Sequence, residues 1–114
     1  MEINEKKYGD VLVLTLTGEL MGGEKAEEFQ SRVYDAIEDE DVNIVVDMEK
    51  VKWMNSSGLG MLMGALTTLR SSGGDLKLAN VSDRVQRPIE ITKLDSVLNI
   101  YDSVDNGVNS FQGE

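Results

Sequence analysis

Residues 42–48, VNIVVDM, are apolar at almost every position and rich in β-branched side chains. A strand with one wet face alternates apolar and polar residues; a run without alternation has both faces covered. Such a run belongs inside a parallel sheet with helices packed on it. The flanking sequence agrees. Between Gly23 and Glu40 the apolar residues Ala26, Phe29, Val33 and Ile37 recur three or four apart, which is one face of a helix. Beyond Asn55, a second helical stripe runs through Leu59, Leu62, Met63, Leu66 and Leu69, and Ser71-Ser72-Gly73-Gly74 ends it.

The remaining segments extend the alternation of strand and helix. VLVLTLTGEL (11–20) reads as a strand ending at Gly18, and MEINEKKY before it as an edge strand, with Gly9-Asp10 as the hairpin turn. DLKLANV (75–81) alternates and reads as a strand. Ser82 or Asp83 caps a third helix running to about Lys93, with Val85, Ile89 and Leu94 turned inward. Pro88 falls inside it, where a proline loses a hydrogen bond and clashes with the preceding turn, so a kink or a short helix is expected. VLNIY (97–101) is a last strand, and Asp102 or Ser103 caps a final helix ending near Phe111. The order is β-β-α-β-α-β-α-β-α, which implies an α/β fold: a mixed or parallel sheet with helices packed against it.

Composition narrows the chemistry. A chain of 114 residues suits one domain, 1–114. Cysteine and histidine are both absent, which removes thiolate metal sites, the commonest general base and any Ser-His triad. The net charge is −10, with 14 acidic and 5 basic residues in 1–50 against 7 and 6 in 51–114. Such a balance argues against nucleic acid and anionic membranes as partners. The less charged second half could face a protein partner, or the acidity could serve solubility alone. No apolar run is long enough to span a bilayer, and the polar N-terminus lacks the core of a signal peptide. The expectation is a cytoplasmic protein without membrane insertion, metal or other cofactor.

The stretch WMNSSGLGMLMG (53–64) is the candidate site. Its glycines spell G-x-G-x-x-x-G, which fits neither the dinucleotide fingerprint nor the P-loop, although a bare helix N-terminus can still attract an anion. A second reading is structural: Asn55 or Ser56 caps the helix, and the glycines let it lie close to the sheet. A third reading grows from the second. A serine at a helix start, past the C-terminal end of a buried strand, lies where α/β sheets tend to carry sites, and a phosphate there suits the helix dipole.

The segment NIVVDMEKVKWMNSSGLGMLMGALTTLRSSGGDLKLANV resembles the STAS domain of bacterial anti-sigma factor antagonists (anti-anti-sigma factors). The similarity continues through VQRPIEITKLDSVLNIYDSVDNGVNSF, and TLTGEL matches the family's early strand and turn. The most specific part is the apolar strand ending in Asp47, then Trp53, then Asn55-Ser56-Ser57-Gly58-Leu59-Gly60. The resemblance implies a STAS-like single domain with a mixed, mostly parallel sheet. It implies a binding protein, not an enzyme. The partner it implies is an anti-sigma factor that is also a serine kinase and phosphorylates the serine corresponding to Ser56. The unmodified domain binds that partner and frees a sigma factor; the phosphate abolishes binding, and a serine phosphatase restores it.

The family pattern has Asp where this chain has Asn55, and a leucine-like residue where it has Pro88. A second reading of the same resemblance is therefore a STAS module without phosphoregulation, serving a transporter-associated or signalling complex. A small nucleotide-binding or hydrolytic protein is a third possibility, from another class. The expected contact surface comprises Gly22, Gly23, Trp53, Asn55, Ser56, Ser57, Gly58, Leu59, Gly60 and Met61. Within it Trp53 is a partner anchor or a half-buried packing residue, and Ser57 an alternative acceptor or a first-turn residue. Met61, off the main stripe, is expected to offer contact while Met63 packs inward. Asp47 and Glu49, with Asp39, Glu40 and Asp41, read as a solvated acidic face or, less simply, as an oxygen-only cation site.

Overall fold

A computed structural model describes residues 1–112. Five strands form one sheet in the order β1(Glu2–Tyr8), β2(Val11–Leu20), β3(Asn43–Met54), β4(Asp75–Ala79) and β5(Asn99–Tyr101). The first pair is antiparallel, with Tyr8 opposite Val11, so Gly9 and Asp10 make the expected two-residue turn; Gly9 has φ 63°. All other pairs are parallel.

Because β2 to β5 lie side by side in chain order, every crossover between them runs in the same direction. The right-handed rule then puts all three connecting helices on one face. These are α1(Glu24–Glu38), α2(Ser56–Ser71) and α3(Asp83–Ile91). Their inward residues Phe29, Val33, Leu62, Leu66, Val85 and Ile89 join Leu12, Leu14, Leu16, Ile44, Val46, Leu76 and Leu78 in one core. The last helix, α4(Val104–Gln112), packs on the opposite face, where Val108 meets Val11, Val13, Val45 and Ala79. Residues 42–48 are thus covered on both sides, as their composition requires.

Three segments depart from the expected pattern. The strand after the first helix does not stop at Met48 but runs on to Met54. Its buried residues Met48, Val51 and Met54 fall three apart, a spacing that hides a strand from a period-two reading. The cause is two bulges. Thr15 and Thr17 of β2 face Asp47 and Lys50, and Gly18 and Glu19 face Val51 and Trp53, so β3 carries an extra residue each time. The bulges also carry β2 past Gly18 (φ 113°) to Leu20.

The second departure is Lys77, the charged residue inside the alternating strand β4. It is 8% exposed. Helix α4 covers it, and its ammonium lies 4.0 Å from the Phe111 ring centre and donates to Ser110 Oγ at 2.7 Å. The third is the end of α3. Ser82 is the cap, accepting from Val85 N–H, but the helix stops at Ile91 instead of Lys93. Lys93 turns left-handed (φ 63°) and leads into a 3-10 turn over Leu94–Ser96. Pro88 thus sits in a nine-residue helix, the short helix expected of it. The final helix is capped by Ser103, whose Oγ accepts from Asn106 N–H.

A surface depression of about 530 Å³ lies between β1 and α1 at the end where the parallel strands begin. Charged residues line it and pair internally. Lys7 bonds Asp41 at 2.6 Å and Arg32 approaches Glu5 at 3.5 Å. The hydrogen bond to Asp41 holds the exposed Lys7 ammonium above its ordinary value. This is a solvated charged edge, far from the C-terminal strand ends. Among the described residues, no helix is long and apolar enough to cross a membrane.

Leu14, on a central strand and fully buried, tests the core. Leu14→Ala should lower unfolding stability by about 2–5 kcal/mol in urea denaturation, because the cavity adds to the lost transfer energy.

Candidate functional site

Strands β2 and β3 end side by side, with Leu20 paired to Met54, and the chain enters α2 directly from β3. Asn55 is the cap. Its Oδ1 accepts from Gly58 N–H at 2.8 Å, and its backbone N–H donates to Leu20 O at 3.2 Å. Its Nδ2 makes a long contact to Met21 O at 3.4 Å. A carboxylate could replace the first bond, but it could not donate to Met21. The amide therefore links the helix start to the loop after β2.

That loop approaches the helix closely enough to require glycine at two positions. A Cβ on Gly58 would overlap the Leu20 carbonyl, and a Cβ on Gly22 (φ 83°) would lie 2.9 Å from Ser57 Cβ. Gly23 (φ 72°) is the exposed cap of α1, its carbonyl accepting from Ala26 and Glu27 N–H. Gly60 and Gly64 meet nothing, so close approach to the sheet explains only Gly58.

Because Asn55 does the capping, Ser56 is the first residue of α2 with its side chain in solvent; Ser57 is exposed beside it. Trp53 is 40% exposed, thus half-buried, at the end of β3, and Met21, just past the end of β2, is 47% exposed. Three expected contact residues prove inaccessible or nearly so. Gly58, Leu59 and Met61 are buried, Met61 at 8% exposure, while Met63 is only partly buried. Helix α2 is the middle helix of three, flanked by α1 and α3, so its buried arc is wider than a single stripe and takes in Met61.

An apolar groove of about 340 Å³ opens beside Ser56. Leu59 floors it, Pro88, Ile91 and Thr92 of α3 wall it, and Arg84 and Arg87 border it. Of these residues the sequence pattern singles out Pro88 alone, and as a helix breaker. Ile91 is 70% exposed and falls off the Val85–Ile89 stripe, which is the one signal that could have singled it out. The first turn of α2 holds no acid, so the positive end of its dipole is uncompensated. The positive end of the helix thus meets no acid of its own first turn, in a protein of net charge −10. Asp47, expected on an acidic face, turns its Oδ1 to Asn80 Nδ2 and to Glu49 N–H, both at 3.1 Å. Among the described residues, no three acids cluster as a metal site would need.

The chain matches the STAS domain family model over residues 2–107. It is 31% identical to a candidate anti-sigma factor antagonist of Thermotoga neapolitana, over 91% of this chain and 92% of the other. It is 25% identical to the anti-sigma F factor antagonist of Paenibacillus polymyxa, over 98% and 96%. A crystal structure of a candidate anti-sigma factor antagonist from Thermotoga maritima superposes with a TM-score of 0.86 at 28% identity, covering 95% of this chain and 92% of that one.

Two glycines two residues apart should respond with opposite signs. Gly58→Ala should cost about 1–3 kcal/mol or more through overpacking against Leu20. Gly60→Ala, in an open helical position, should gain about 0.5–1 kcal/mol. Paired thermal unfolding curves measure both.

Proposed function

The chain belongs to the STAS domain family, and on that premise we propose that it is an anti-sigma factor antagonist switched by phosphate on Ser56. It acts by binding, without catalysis of its own. Its partner is an anti-sigma factor with serine kinase activity, and a serine phosphatase reverses the modification. In the transfer, the Ser56 Oγ–phosphorus bond forms as the bond from the γ-phosphorus to the β,γ-bridging oxygen of ATP breaks. ADP leaves and the hydroxyl proton passes to a base on the kinase.

The observation that carries this reading is the division of labour at the helix start. Asn55 satisfies the orphan N–H, so the Ser56 hydroxyl stands in solvent with no structural duty in the cap. Trp53 and Met21, near the ends of β3 and β2, add exposed apolar area. The contact surface proposed is Met21, Gly22, Gly23, Trp53, Asn55, Ser56, Ser57 and Gly60, with Gly58 and Leu59 shaping it from beneath. A phosphate would bring about −1.5 to −2 charges into it. A partner covering Trp53 and Met21 would then have to desolvate a dianion, which is unfavourable unless paired.

The amide at position 55, where the family pattern carries a carboxylate, supports a second reading: a STAS interaction module that is never phosphorylated. Binding of the anti-sigma factor kinase separates the two. Under the switch, Ser56→Ala binds like the native protein and accepts no phosphate at that position, while Ser56→Asp binds at least tenfold more weakly in calorimetry. Equal binding by both variants, with no Ser56 phosphate in mass-spectrometric mapping after incubation with kinase and ATP, would establish the constitutive module instead.

A further inference from the structure

We infer that Arg84 and Arg87 of α3 form an intramolecular receptor for the phosphate on Ser56, so that the modified side chain lies across its own groove. The inference rests on the reading of Ser56 as the phosphoacceptor and adds what the phosphate does once attached.

The groove between α2 and α3 is lined by Ser56 together with Arg84 and Arg87, on elements far apart in sequence. Among the described residues, no carboxylate lines it. Arg84 and Arg87 take part in none of the ion pairs or side-chain hydrogen bonds found among the described residues, whereas Arg32 and Arg70 both pair with acids. Two unpaired arginines side by side are unusual on a surface of net charge −10. The acids nearest in sequence, Asp83 and Glu90, line a separate depression of about 210 Å³ with Gln86 and Arg87. Arg84 has no share in that depression, and Arg87 borders both.

The other groups facing Ser56 favour an anion as well. The first turn of α2 contains no acid, and the cap is the neutral Asn55. A helix start also offers backbone N–H groups that favour an anion. Guanidiniums offer planar, paired donors that suit phosphate oxygens. Leu59, Pro88 and Ile91 supply an apolar floor and wall, which lower the local dielectric and strengthen such pairing. Held there, the phosphate covers the groove as well as repelling a partner.

The test uses the full chain with phosphoserine placed at position 56 during translation, so it does not depend on any kinase. Phosphorus-31 NMR follows the second ionisation, which for exposed phosphoserine has a pKa of about 6. Opposite charge favours the dianion, so in the native chain this pKa should fall by about one unit. Arg84→Gln and Arg87→Gln should each reverse part of the fall and the double variant most of it. Both arginines are exposed, so the variants keep the fold. Lys6→Gln, on the outer strand β1, removes the same charge outside the groove and should leave the value unmoved. An identical pKa in native chain and double variant, or an equal response to Lys6→Gln, would overturn the receptor. Failure of the kinase to modify Ser56 would instead undo the proposed switch, without touching this titration.

Discussion

The Leu20 carbonyl is the point on which the site depends. It accepts the Asn55 N–H and presses against the Cα of Gly58, so the end of β2 and the first turn of α2 are fixed to each other through backbone. Any side chain at position 58 would separate them. With that contact made, the Asn55 amide can reach Gly58 N–H on one side and Met21 on the other, and Ser56 is turned outward. The exposure of one hydroxyl is therefore a consequence of backbone packing: sheet register, then close approach, then cap.

The sheet supplies the register. Two bulges lengthen β3 relative to β2 and bring both strands to an end together at Leu20 and Met54. Bulges re-aim side chains as well as adding length. They leave Val51 and Met54 pointing inward while Trp53 remains on the surface. The same face-to-face logic explains Lys77: the right-handed crossovers crowd three helices onto one side, and α4 alone covers the other, where the lysine finds Ser110 and Phe111.

Electrostatically the molecule is divided. Acids dominate its outer surface and pair with Lys7 and Arg32 at the end remote from the site. At the start of α2 the balance reverses, because the cap is neutral, the first turn is free of acids and Arg84 and Arg87 border the groove. A net charge of −10 thus coexists with a local environment that suits an anion. Local field, and not total charge, governs what a small site attracts.

Much of this was legible in the residues. Apolar character without alternation in 42–48 required a doubly covered strand, the three- and four-residue spacings identified each helix, and Pro88 signalled a kinked or short one. Periodicity works because a residue's local face is set by its own element. It failed at residues 49–54, where bulges replaced a period of two by one of three, and at Met61, which is buried on a helix that contacts both α1 and α3. The sequence by itself determined the order of elements, the core and the serine at the helix start. Tertiary structure alone decided that Asn55 is the cap, that only one glycine of the motif is forced by packing, and that Arg84, Arg87 and Ile91 come to Ser56. Those outcomes depend on approach between segments distant along the chain, which no local pattern records.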